Sequence, residues 1–299
     1  MSFTRAGWRI RTLPYLRIVV YLIVLILLGL SIAGGVYFVS GSTFREEPSK
    51  LVFRVLEVMG ILTCAGWLWL QGNQTVAAWA LAASPRTWLR HALLGWLAGV
   101  AMLALIAWAL TALGARELTG SLTDLPGLLA RGLVVGLAVS VLEEIWFRGG
   151  LLTALAAPGF ARRGSAVVIS SLLFSAVHFI RPEAITSQEA ASWLVTWHVF
   201  ASSFGRFLDP MIAGPALALF CAGMILALVR VRTGCIAGCI GLHAGWVSVI
   251  YTFKRVSEPQ GDAPGAMWAA GYDGVIGWLA AAVFLGVLLV LHRRRLPGQ

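Results

Sequence analysis

Two adjacent carboxylates, Glu143 and Glu144, stand in the apolar run Val141 to Arg148, with the guanidinium of Arg148 closing it. Ionisable groups inside a bilayer are costly and by default mark a functional site. Two histidines sit in apolar runs further on: His178, close behind Phe174, and His243, within a glycine-rich stretch. Carboxylate and imidazole together are what water activation needs. Either Glu143, His178 and His243 hold a divalent metal such as zinc, which lowers the pKa of its water. Or Glu143 acts directly as general base without metal, with the histidines orienting the water and steadying an oxyanion. The residue types leave both open. No G-x-S-x-G, H-E-x-x-H or Walker A pattern competes.

Spacing separates the two glutamates. Consecutive helical residues point about 100° apart, so both cannot face the same way. Glu144 and Arg148 are four apart and pair along one helix face. That leaves Glu143 as the working base and Glu144 and Arg148 as its support. His178 reaches the same depth. Measured from the turn near 158–164, Glu143 and His178 each lie roughly 21–22 Å away at about 1.5 Å per residue. His243 lies about 15 Å in from the same side on the same rise per residue, within reach of the Glu143 level by helix tilt. Cys235, Cys239 and His243 repeat every four residues and resemble a soft-metal ladder, but small cysteines lining a packing face are the better reading. Gly234, Gly238, Gly241 and Gly245 in the same stretch allow another helix to approach closely.

The elements that must position these groups are membrane spans. The chain has 299 residues, 59% hydrophobic and only 12% charged, where soluble domains carry about 25% charged. Mean hydropathy is +0.84. An all-α polytopic membrane protein follows, with the polar site among helices 4, 5 and 7. Eight spans are expected, near 18–39, 53–72, 91–113, 131–156, 164–180, 211–230, 234–253 and 274–292. The first run is too long for a cleavable signal peptide. The aromatic stretch within 181–210 suits an interfacial or re-entrant segment as well as a plain connecting loop. Cys64, Cys221, Cys235 and Cys239 all fall in apolar runs, which predicts reduced thiols and no disulfide framework. The net charge of +10 does not gather on a soluble face, so it argues for topology and against nucleic acid. Basic residues cluster at one set of span ends, among them Arg86, Arg90, Arg162, Arg163, Arg230, Arg232 and Arg293 to Arg295. The acidic residues other than Glu143 and Glu144 fall on the opposite side. The positive-inside rule then puts both termini in the cytoplasm, and the cell's inner membrane is the expected location. Residues 1–125 read as helices 1–3, 126–255 as a catalytic core and 256–299 as helix 8 with a basic tail.

The three polar runs resemble the CAAX protease and bacteriocin-processing (CPBP, or Abi) family of intramembrane proteases, which includes the type II CAAX prenyl endopeptidases. The family's motifs are E-E-x-x-x-R, F-x-x-x-H and H-x-x-x-N/D on successive core helices. Glu143 to Arg148 matches the first, Phe174 to His178 the second and His243 half of the third, whose Asn or Asp is here Val247. The resemblance covers about 130–255. It implies a helical membrane fold, hydrolysis of a peptide bond in a membrane-associated substrate, prenylated or not, and Glu143 activating water with His178 while His243 binds the oxyanion or a metal. Ser248 or a backbone group is the nearest substitute for the absent donor at Val247. Two other classes stay open: a non-enzymatic immunity or scaffold protein that kept the fold, and a proton-coupled transporter with a Glu/His relay. Against the transporter, no internal repeat stands out.

Overall fold

The computed structural model describes residues 14–40, scattered residues of 51–63, and residues 83–120, 122–156, 163–180, 194–269 and 272–293. The described chain is mostly helical. Its elements are α1 (Pro14–Ser40), α2 (Pro85–Ala112), β1 (Arg116–Leu118), α3 (Leu125–Glu144), α4 (Arg163–Val177), α5 (Leu194–Ser202), α6 (Ala213–Thr233), α7 (Ala237–Val256), β2 (Ser257–Pro259) and α8 (Trp278–Arg293). Beyond Glu144, α3 runs on through a π-helical stretch, Ile145–Leu151, and a last turn, Leu152–Leu155.

Three helical stretches among the described residues are long and apolar enough to cross a membrane: Pro85–Ala112, Leu125–Leu155 and Pro210–Thr233. Shorter apolar helices cover Val20–Val36, Gly164–Val177 and Trp278–Leu291. The eight expected spans are therefore found in part. The span expected at 53–72, and Cys64 with it, lies largely outside the described residues. The fifth span ends sooner than expected, at Val177, so His178 sits in the turn that follows α4. The stretch 181–210 holds a helix, α5, which packs against α1, so it is more than a connecting loop.

The centre of the packing is α7, which lies against both α2 and α3. Glycine makes that approach possible. A Cβ on Gly241 would run into the carbonyl of Ala92, and one on Gly245 would come within 2.5 Å of the Trp96 carbonyl oxygen. From the other side, Gly95 and Gly99 of α2 meet the carbonyls of Gly238 and Leu242. Gly136 of α3 stands equally close to the Ala244 carbonyl, a Cβ there coming within 2.6 Å. Small residues at the contact let backbones close up where lipid gives helices no hydrophobic reason to associate. Gly241→Ala is expected to cost about 1–3 kcal/mol, the usual penalty for forcing a methylene into a packed site. A thermal melt in detergent reads it; an unchanged midpoint would show that α2 and α7 are not packed as described.

One short antiparallel ribbon was not foreseen. Arg116 pairs with Pro259, Glu117 with Glu258 and Leu118 with Ser257. The ribbon ties the exit of α2 to the exit of α7, so the two helices end on the same side. Arg116 is 4% exposed, and each of its three guanidinium nitrogens donates a hydrogen bond. It donates to the Ser257 hydroxyl (2.9 Å) and carbonyl (2.6 Å) and to the Gly274 carbonyl (3.1 Å). Burial draws its pKa down, and nearby Asp273 works against that. Gly274 has φ +77°, and a Cβ there would sit 2.7 Å from the guanidinium, so glycine is required. This clamp holds the loop before α8 across the helix ends, with Tyr272 and Asp273 on it.

Candidate active site

The two glutamates at the end of α3 face different ways, as consecutive helical residues must. Glu144 is fully buried, and its Oε1 accepts from Arg148 at 2.8 Å. Glu143 is partly exposed, its side chain at 31%. Between them and the next turn the helix widens: the Leu152 amide bonds back to the Phe147 carbonyl, five residues earlier. Such π segments are rare and often sit at functional sites. Arg148 lies within this one. It is fully buried, also reaches the Gly223 carbonyl of α6 at 3.3 Å, and packs its guanidinium 4.3 Å from the centre of the Phe174 ring. One cation thus joins three helices: it neutralises Glu144 of α3, meets the backbone of α6 and lies on an aromatic face of α4.

Both histidines come to this point. His178 Nδ1 donates to the Phe174 carbonyl at 2.6 Å, since a carbonyl can only accept. His243 Nδ1 lies 2.9 Å from Glu144 Oε1, the same oxygen that Arg148 holds. A carboxylate engaged that way is an acceptor, so here too Nδ1 carries the proton. With both Nδ1 atoms used as donors, each neutral ring presents its Nε2 lone pair. Each Nε2 stands 4.0 Å from Glu143 Oε2. That gap is too long for a direct hydrogen bond and suits a shared water. Three acceptors converge, so whatever lies between them must bring protons or positive charge. The structure thus gathers Glu143, His178 and His243, and sets Glu144, Arg148 and Phe174 behind them. The sequence reading paired Glu144 with Arg148 but missed its bond to His243, 99 residues away.

The donor kinds, two imidazoles and a carboxylate, are those of catalytic zinc. Their separations are wider than the roughly 3.3 Å between neighbouring ligands at tetrahedral zinc distances. Among the described residues no three His, Cys, Asp or Glu side chains stand close enough to hold a metal ion. The cysteine ladder does not join the site. Cys239 donates to the Leu226 carbonyl (3.2 Å), Cys235 accepts from the Ala237 amide (3.4 Å), and both thiols are buried and free of disulfides.

A cavity of about 260 Å³ opens onto the triad. Glu143, His178 and His243 line it from α3, from the turn after α4 and from α7, with Trp246, Val247 and Phe284 beside them and Tyr272 and Asp273 at the loop. Phe174, fully buried, packs edge-on toward His243, their ring centres 5.9 Å apart, and fixes its tilt. Ser248 is not available to the cavity. Its hydroxyl is committed to the carbonyls of Ala244 (2.6 Å) and Gly132 (3.1 Å), where α7 meets α3. Of the two substitutes for the absent Asn or Asp, Ser248 or a backbone group, the serine hydroxyl is thus engaged elsewhere. The volume admits an extended segment and no folded domain.

Residues 125–249 match the family model described as Type II CAAX prenyl endopeptidase Rce1-like. That stretch carries the residues just assembled, and it includes apolar helices long enough to cross a membrane. Nothing matches in the comparisons with curated proteins or with solved structures.

Proposed function

We propose that this chain is an intramembrane endopeptidase that cleaves a C-terminal CAAX segment of a prenylated, membrane-associated substrate. The observation that carries the reading is Glu143 Oε2 standing 4.0 Å from the Nε2 atoms of both His178 and His243 at the head of a cavity. The family match over 125–249 supports the reaction class, and the description of that family is the ground for proposing a CAAX substrate. In this mechanism a water bridges the triad. Glu143 takes its proton as hydroxide adds to the peptide carbonyl, then gives that proton to the leaving amine. His178 and His243 hold the water in line. Glu144, itself neutralised by Arg148, keeps His243 in the tautomer that presents Nε2.

Glu143, His178 and His243 are also the residues that would hold a divalent ion, whose contribution would be a bound water of lowered pKa. The 4.0 Å separations favour the metal-free glutamate route. In the membrane we place both termini on the cytoplasmic side of the inner membrane, because the arginine-rich span ends share that side.

The test is cleavage of a farnesylated peptide ending in a CAAX sequence by protein reconstituted in liposomes. Mass spectrometry should show one cut within the last four residues, and activity should survive a strong chelator. Folded protein that leaves the peptide intact would sink the peptidase reading. Activity lost to chelator and regained with zinc would sink only the metal-free route.

A further inference from the structure

Peptide hydrolysis puts negative charge on the carbonyl oxygen, and a preorganised donor has to meet it. With neutral rings the triad offers none, since both Nε2 atoms are acceptors. Arg148 gives its terminal nitrogens to Glu144 and Gly223, and its unpaired Nε belongs to a residue that does not line the cavity; Ser248 is committed to backbone carbonyls. Val247 brings only methyl groups to the cavity. Two buried polar atoms of residues on this wall have no hydrogen-bond partner. One is the acceptor Glu143 Oε2, and the other is the donor Nε1 of Trp246. Trp246 is 4% exposed. A buried donor left unpaired costs about 1–3 kcal/mol, so such a group needs a reason.

Its position supplies one. Trp246 lies one turn beyond His243 on α7, with ring centres 6.3 Å apart, and its indole rests on Phe284 at 5.0 Å. The ring is therefore held beside His243, on the wall of the cavity that the triad lines. We infer that Trp246 donates its indole N–H to the carbonyl oxygen of the scissile peptide as that oxygen becomes an oxyanion. The step balances without another reactant. Water adds its hydroxyl to the carbonyl carbon and its proton to Glu143. The carbonyl π pair moves to oxygen, where the indole N–H holds it. Collapse re-forms the C=O, breaks the C–N bond and sends the proton from Glu143 to the amine. The inference rests on the peptidase reading above.

Trp246→Phe removes the N–H and keeps a ring against Phe284. With the farnesylated CAAX peptide in liposomes, kcat should fall about 10²-fold or more, as for loss of one oxyanion donor, with KM and the melting midpoint little changed. Adding Val247→Asn to that variant should recover part of the lost kcat, because it offers an amide donor from the neighbouring position. A kcat within threefold of wild type, or a rise in KM alone, would overturn the assignment. If Phe lowers the melting midpoint, benzothienylalanine at 246 decides the matter, since it keeps the fused ring without the N–H. Glu143→Gln is measured alongside. If it cleaves as fast as wild type, the peptidase mechanism fails and this inference with it. If it is inactive beside an unimpaired Trp246→Phe, only the role of Trp246 falls.

Discussion

Glu143→Gln is expected to stop turnover while leaving the protein folded. The change keeps the size and shape of the side chain and removes its ability to take a proton. General-base catalysis is worth about 10²–10⁴-fold, and in this mechanism the two imidazoles orient the water while the carboxylate takes its proton, so a loss near the upper end is expected. The second carboxylate cannot step in. Glu144 is fully buried, and its Oε1 already serves Arg148 and His243. The fold has little to lose, because Glu143 makes no short hydrogen bond to the triad and is 31% exposed. Initial rates on the prenylated peptide, with a thermal melt of the same preparation, separate the two effects. A folded Gln variant with even a tenth of wild-type activity would move the base elsewhere, and a cellular role untouched by the change would favour a non-enzymatic scaffold.

Much of this site could be read from the sequence, because membrane burial makes each charged residue informative. Glu143 and Glu144 stand out for their cost in lipid, and the depth count placed His178 level with Glu143 from helix rise alone. The cavity brings exactly this pair together with His243, though the spacing that predicted their approach could not predict their hydrogen bonds. Glu144 meets His243 across 99 residues, and nothing local in either helix signals which carboxylate takes which imidazole. The π-helical widening at Ile145–Leu151 was also invisible, since its residues read as an ordinary apolar helix. The ribbon between Arg116–Leu118 and Ser257–Pro259 is three residues a side, too short for a period to appear. Trp246 was passed over for another reason: in a membrane chain a tryptophan is bulk, and only an unpaired N–H on a residue of the cavity wall marks it out.

Arg148→Met is expected to be the most damaging change to the fold. Methionine replaces the stem and some of the volume, so packing against Phe174 is partly kept. What disappears is the cation paired with Glu144 among the described residues, together with the hydrogen bond to the Gly223 carbonyl. Breaking a buried ion pair from one side leaves an uncompensated charge and costs about 3–5 kcal/mol. The damage should not stay local. Glu144 also sets the tautomer of His243, and a carboxyl stripped of its cation relieves itself by taking a proton or drawing in water. A protonated Glu144 would donate to His243 Nδ1, turning Nε2 from an acceptor facing Glu143 into an N–H. Activity should then fall further than the folded fraction alone explains. The double variant Glu144→Gln with Arg148→Met tests the cause. It removes both charges, and the Gln carbonyl can still accept from Nδ1. It should therefore melt above Arg148→Met alone, with a coupling of about 1–3 kcal/mol for groups in one network. A double variant that melts no higher than Arg148→Met would assign the loss to packing of the guanidinium among Phe147, Phe174 and α6. Equal stability of Arg148→Met and wild type would mean that Glu144 does not depend on this cation, and the support proposed for His243 would fall with it.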